Sequence, residues 1–123
     1  MTRGLLIVDD SMVIRNRIAR LVSDARLPDI EIVGLAHDGE QAVEIARSRR
    51  PALVTMDLTM PRMEGAECIS AIADLLPQAR ILVVSALADK ATALKALKRG
   101  AHGFLHKPFD DDALIGAFRE LMA

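Results

Sequence analysis

The chain has 123 residues, half of them apolar, a net charge of −1, one cysteine and no Trp or Tyr. That length suits one compact domain, residues 1–123, with a proper core. The charge balance gives no general attraction to nucleic acid or an anionic membrane, three phenylalanines make no base-stacking platform, and no apolar run nears the roughly 18–20 residues of a membrane span.

The apolar run near the N-terminus is too short for a secretory leader, and Cys68 has no partner for an internal disulfide. A cytoplasmic protein is therefore expected, with no direct nucleic-acid binding and no membrane insertion. Leu5-Leu6-Ile7-Val8 is apolar at every position, as a strand covered on both faces is, and ends on Asp9-Asp10. Residues 11–23 have helical spacing, with Ile14, Ile18, Leu21 and Val22 on one face and Arg15, Asn16 and Arg20 mostly opposite. After the break at Leu27-Pro28-Asp29, residues 30–36 alternate in part and read as an edge strand. Asp38 caps a second helix with Ala42, Val43 and Ala46 inward, and Arg47, Arg49 and Arg50 form its solvated last turn.

The third strand lies between Pro51 and Pro61 and delivers Asp57 to its C-terminal end. A loop to Gly65 leads into a helix with Ile69, Ile72, Ala73 and Leu76 inward, Cys68 as a small packing residue and Pro77 as the stop. Ile81-Leu82-Val83-Val84 is another fully apolar strand, ending in Ser85. Asp89 caps a fourth helix in which Leu94 and Leu97 sit one turn apart, closed by Gly100. The short strand 103–106 ends in Lys107-Pro108. Asp110, Asp111 and Asp112 then lie at the dipole-favoured start of a last helix with Leu114, Ala117, Phe118 and Leu121 inward.

Five strand–helix units in succession predict an α/β fold, (βα)5, with a doubly wound, five-stranded parallel sheet and helices on both faces. In such a sheet the strand C-termini share one edge, so Asp9, Asp10, Asp57, Ser85 and Lys107 converge on one cleft. Asp57 alone is equally an ordinary turn residue. Three carboxylates together repel one another and call for compensation, which a lysine and a divalent cation supply. Magnesium takes oxygen ligands and commonly binds through one or two carboxylates and a substrate phosphate. Carboxylate, hydroxyl and ammonium around a metal suit phosphoryl transfer.

Leu6-Ile7-Val8-Asp9-Asp10-Ser11, Asp57-Leu58-Thr59-Met60-Pro61-Arg62-Met63-Glu64-Gly65, Ser85-Ala86 and Lys107-Pro108-Phe109 follow in this order along nearly the whole chain. In these motifs the sequence resembles the CheY-like receiver domains of bacterial two-component response regulators. The resemblance implies the flavodoxin-like strand order 2-1-3-4-5 and a cis Lys107-Pro108 bond. It implies that Asp57 is the phosphoacceptor, taking a phosphoryl group from the phosphohistidine of a histidine kinase or phosphotransfer protein. It assigns Asp10, Asp57 and the Thr59 backbone carbonyl to Mg2+, with Asp9 acting largely through metal-bound water. Lys107 pairs with the phosphoryl group, and Ser85 and Phe104 form the switch. Phe104 lacks the tyrosine hydroxyl of some relatives, and Thr59 and Leu87 occupy positions thought to tune dephosphorylation. A downstream protein would dock on the face built from the fourth helix, fifth strand and fifth helix, carrying Lys90, Lys95, Lys98 and Arg99 near Asp110 to Asp112.

On this reading the protein catalyses only its own phosphotransfer and dephosphorylation and is not an enzyme toward outside substrates. An aspartate-nucleophile phosphatase of the haloacid-dehalogenase type needs a second acid two residues after Asp57, where Thr59 stands. A flavin-binding flavodoxin-like protein needs an uncharged phosphate cradle where Asp9-Asp10 stands. An inert pseudo-receiver would not need the full set of acids, hydroxyl and lysine. No effector domain follows the fifth helix in this sequence, which leaves a stand-alone regulator or a receiver cut from a longer regulator. His37, His102 and His106 lack metal-site spacing and are expected to be exposed.

Overall fold

A computed structural model of the chain describes residues 2–60, 63–86 and 90–123. Five parallel strands, β1 (Arg3–Val8), β2 (Ile30–Ala36), β3 (Leu53–Met56), β4 (Arg80–Ser85) and β5 (Gly103–His106), form one sheet in the order β2-β1-β3-β4-β5. The helices α1 (Met12–Leu21), α2 (Gly39–Arg49), α3 (Gly65–Leu75), α4 (Lys90–Arg99) and α5 (Asp111–Met122) alternate with them. The expected doubly wound fold and strand order are both present, and β2 is an edge.

Side-chain alternation along each central strand divides the core in two. Leu6, Val8, Val54, Met56, Ile81 and Val83 face α2, α3 and α4, while Leu5, Ile7, Leu53, Leu82 and Val84 face α1 and α5. A strand covered on both faces must be apolar at every position, which is why β1 and β4 read as unbroken runs. Thr55 is the polar residue in this layer. It is 1% exposed, and among the described residues its hydroxyl has no hydrogen-bond partner. Leaving a hydroxyl unsatisfied costs about 1–3 kcal/mol. Thr55→Val, which keeps the shape, should therefore raise stability by about 1 kcal/mol in urea unfolding. An unchanged or lower midpoint would show that the hydroxyl is satisfied in solution.

Asp38 is in place as the predicted cap of α2, and Ser11 and Asp110, not singled out as caps in the sequence, serve α1 and α5 in the same way. Ser11, Asp38 and Asp110 each accept a backbone N–H of the first turn of α1, α2 and α5. Gly100 closes α4 at φ +122°, a conformation that side chains resist. The proposed cap Asp89, like Leu87, Pro61 and Arg62, lies outside the described residues.

Two surface features differ from the sequence reading. Leu94 and Leu97 mark α4 in the sequence, yet they are 56% and 46% exposed and Ala96 is the residue the helix buries. A Cβ on Gly100 would stand 2.8 Å from the Ala73 Cβ, so α4 lies against α3 through small residues and its leucines turn outward. Lys95 and Arg99 point back to α3, onto Glu64 at 3.3 Å and the Ser70 hydroxyl at 3.3 Å. The acidic run at the start of α5 does not face the lysines of α4. Asp111 pairs with Arg17 at 3.1 Å and Asp112 with Arg26 at 2.9 Å, both on the α1 side, while Asp110 is used as a cap.

Candidate functional site

The C-terminal ends of β1, β3, β4 and β5 build the site through backbone pairing. Asp57 N–H donates to the Val8 carbonyl at 2.9 Å, and Asp9 N–H to the Ala36 carbonyl at 3.0 Å. These bonds carry the parallel ladder one residue past each strand and set the two aspartates side by side. Lys107 N–H donates to the Ser85 carbonyl at 2.9 Å, extending the β4–β5 register in the same way. Ser85 and Lys107, predicted for one cleft, thus lie at neighbouring strand ends. The Lys107–Pro108 peptide is cis.

Asp9, Asp10 and Asp57 each offer a carboxylate oxygen, and these three atoms lie within 4.8 Å of one another. Asp9 and Asp57 are buried and Asp10 is exposed. The Lys107 ammonium lies 2.7 Å from Asp9 Oδ2 and 3.8 Å from Asp57 Oδ2. Its closer partner is therefore Asp9, which also accepts the Ser11 N–H at 2.9 Å. Asp57 accepts weaker bonds from the Thr59 N–H at 3.3 Å and hydroxyl at 3.4 Å. Burial, and then the neighbouring Asp9, push the Asp57 carboxyl up from 3.8 to about 6. Lys107 and the Thr59 N–H oppose that rise, and Asp10 adds to it. Three oxygen ligands, two of them buried and one strained by like charge, fit a hard divalent cation.

Ser85 is fully buried at the end of β4. Phe104, paired in register with Val83, is half-buried against the α2–α4 side of the sheet, and Leu105 packs on the α1–α5 side. Ser85 lies two residues after Val83, so alternation puts it on the same side as Phe104. Cys68 is buried in α3, its thiol directed at the Gly39 carbonyl at 3.7 Å and pushed up to about 12 by burial, which suits packing. His37, His102 and His106 are exposed. The sequence reading missed Arg15. It counts among the outward residues of α1, yet its guanidinium turns back to the site and donates to the Asp9 carbonyl at 2.7 Å. Its only sequence signal is a position one turn into the helix that follows the acidic pair.

A family model for the response regulator receiver domain matches residues 5–119. The chemotaxis protein CheY of Listeria monocytogenes is 37% identical over 116 residues, which cover 94% of this chain and 95% of that protein. The nitrate/nitrite response regulator protein NarL of Escherichia coli is 37% identical over 119 residues, 97% of this chain but only 54% of that longer protein. Among solved structures, a chain of the CheX–CheY–BeF3–Mg2+ complex from Borrelia burgdorferi superposes with a TM-score of 0.91 at 29% identity, over 98% of this chain and 90% of that one. Described residues include no helix long and apolar enough to cross a membrane. Sequence, fold and the acidic cleft agree, and the chain belongs to the response regulator receiver domains of two-component systems.

Proposed function

We propose that residues 1–123 act as one phosphorylation-controlled receiver in the cytoplasm, with Asp57 as phosphoacceptor. The observation that carries this reading is a buried carboxylate with two further carboxylate oxygens within 4.8 Å and an ammonium at 3.8 Å. With its carboxyl at about 6, Asp57 is ionised at neutral pH and able to attack phosphorus. An Asp57 oxygen forms the new P–O bond, the P–N bond to the donor imidazole breaks, and that nitrogen keeps the electron pair. Asp9, Asp10, Asp57 and the Thr59 carbonyl would hold Mg2+, which neutralises charge on the phosphoryl oxygens when bound. Lys107 needs only a small shift from Asp9 to pair with a phosphoryl oxygen. Exposed Met12 and Val13 beside Asp10 give a histidine kinase or phosphotransfer protein an apolar surface on which to dock.

The output follows from the same edge. A phosphoryl group adds close to two negative charges and three acceptor oxygens. Ser85 turns toward it, and Phe104, on the same side of the sheet, follows into the space behind β4. The α4–β5–α5 face, with Leu94 and Leu97 already exposed, then changes its affinity for a downstream protein.

Incubation with acetyl phosphate and magnesium should add one phosphate by intact mass, and the adduct should be labile to hydroxylamine, as an acyl phosphate is. Asp57→Asn should abolish it. No addition to the wild type rejects the reading, and persistence in Asp57→Asn moves the acceptor to Ser85 or another residue.

A further inference from the structure

Among the described residues, Lys107 and Arg15 are cationic side chains that reach the acidic cleft. Arg15 does so without touching a carboxylate. The Asp9 carbonyl lies beyond the last β1–β3 ladder bond, the one from Asp57 N–H to the Val8 carbonyl. It accepts instead from Arg15 Nη1 at 2.7 Å, across one turn of α1. That carbonyl belongs to the peptide joining Asp9 to Asp10. Asp9 is fixed independently, through Lys107 at 2.7 Å and the Ser11 N–H at 2.9 Å. Asp10 is exposed, and no hydrogen bond to its carboxylate is seen among the described residues. The peptide before Asp10 is the part of its surroundings that Arg15 holds.

We infer that Arg15 is a positioning residue of the acidic site: by clamping the Asp9–Asp10 peptide it aims Asp10 at Asp9 and Asp57, so that three oxygens converge before any cation arrives. The inference rests on the reading that these carboxylates hold magnesium. It carries a sign that an electrostatic role does not. A guanidinium near three carboxylates repels an incoming cation, so if Arg15 acted through its charge, removing it would tighten magnesium binding. If it acts by positioning, removing it loosens binding, because Asp10 must then be ordered when the metal binds. Groups that orient ligands in this way typically contribute about 10–100-fold in metal affinity.

The test is a magnesium chloride titration of the whole chain, followed by amide NMR shifts of the β1–α1 turn, beside a metal-free thermal melt. Arg15→Met keeps the aliphatic stem and removes the donor. It should raise the magnesium Kd about tenfold, a loss larger than its effect on the metal-free melting midpoint accounts for. Arg15→Lys, which keeps a donor and the charge, should recover most of the affinity. Unchanged or tighter binding in Arg15→Met overturns the inference, as does a lowered metal-free midpoint that accounts for the loss of affinity. A wild type that binds no magnesium fails differently, since it removes the metal reading itself.

Discussion

Asp57→Asn should make the metal-free protein more stable at neutral pH while ending phosphorylation. Burial and the Asp9 carboxylate hold the Asp57 carboxyl near 6 against an ordinary 3.8, which corresponds to about 3 kcal/mol of destabilisation when the group is ionised. Part of that remains offset by Lys107 at 3.8 Å, whose attraction the variant loses. The expected net gain is about 2 kcal/mol, or a rise of roughly 8 °C in melting midpoint for a chain of this size. The pH dependence has a definite sign. Between 3.8 and about 6 the folded state binds a proton that the unfolded state has released. Stability from this group is complete below 3.8, falls as pH rises through that window, and is lost above about 6. Asp57→Asn should remove this slope. Asp9→Asn should not behave the same way, although both reduce the charge of the cluster, because Asp9 is the closer partner of Lys107 and its loss leaves an ammonium 17% exposed without that partner. Magnesium should narrow the gap between wild type and Asp57→Asn, since it stabilises the wild type by binding the folded state. Denaturant titrations from pH 4 to 8 with and without magnesium decide the matter. A metal-free Asp57→Asn no more stable than wild type at neutral pH would show that the cluster is not strained.

What the sequence made legible was the part fixed by periodicity. Two fully apolar runs pointed to central parallel strands, and a parallel sheet has one C-terminal edge, so Asp9, Asp57, Ser85 and Lys107 were assignable to one cleft before any distance was known. Distances and partners were not legible. The resemblance gives Lys107 as the partner of a phosphoryl group, and it says nothing of where the ammonium rests without one: 2.7 Å from Asp9 and 3.8 Å from Asp57, a difference of about an ångström that periodicity does not resolve. Arg15 was hidden for a related reason: helical spacing tells which way a Cβ points, while a long side chain can reach back to a carbonyl on the other side. The outward turn of Leu94 and Leu97 was hidden because small residues of α4, not large ones, make its contact with α3. The strand signal also masked Thr55, whose β-branched shape suits a strand whether or not its hydroxyl is paired.

Gly65→Ala should be among the most damaging single substitutions outside the acidic cluster. Gly65 opens α3, and its N–H donates to the Leu58 carbonyl at 3.2 Å, closing the loop that leaves Asp57. A Cβ at this position would stand 2.4 Å from the Leu58 Cα, 2.8 Å from the Asp57 carbonyl oxygen and 2.9 Å from the Leu58 carbonyl oxygen. All three are backbone atoms, so no rotamer change relieves the overlap; either α3 moves away from the sheet or the loop moves away from α3. The first choice opens the packing of Cys68, Ile69 and Ile72, all fully buried, and the second displaces the peptide that carries the phosphoacceptor. Overpacking that cannot be relieved locally costs about 3 kcal/mol, enough to lower the melting midpoint by roughly 12 °C. Because the displaced backbone is that of Asp57 and Leu58, the acetyl phosphate reaction should slow at a temperature where the variant is still folded, and added magnesium should stabilise it less than the wild type. The controls are the thermal melt and the labelling rate measured on the same samples. A Gly65→Ala protein that melts and labels as the wild type does would mean that the β3–α3 loop takes another path in solution, with α3 not seated against Leu58.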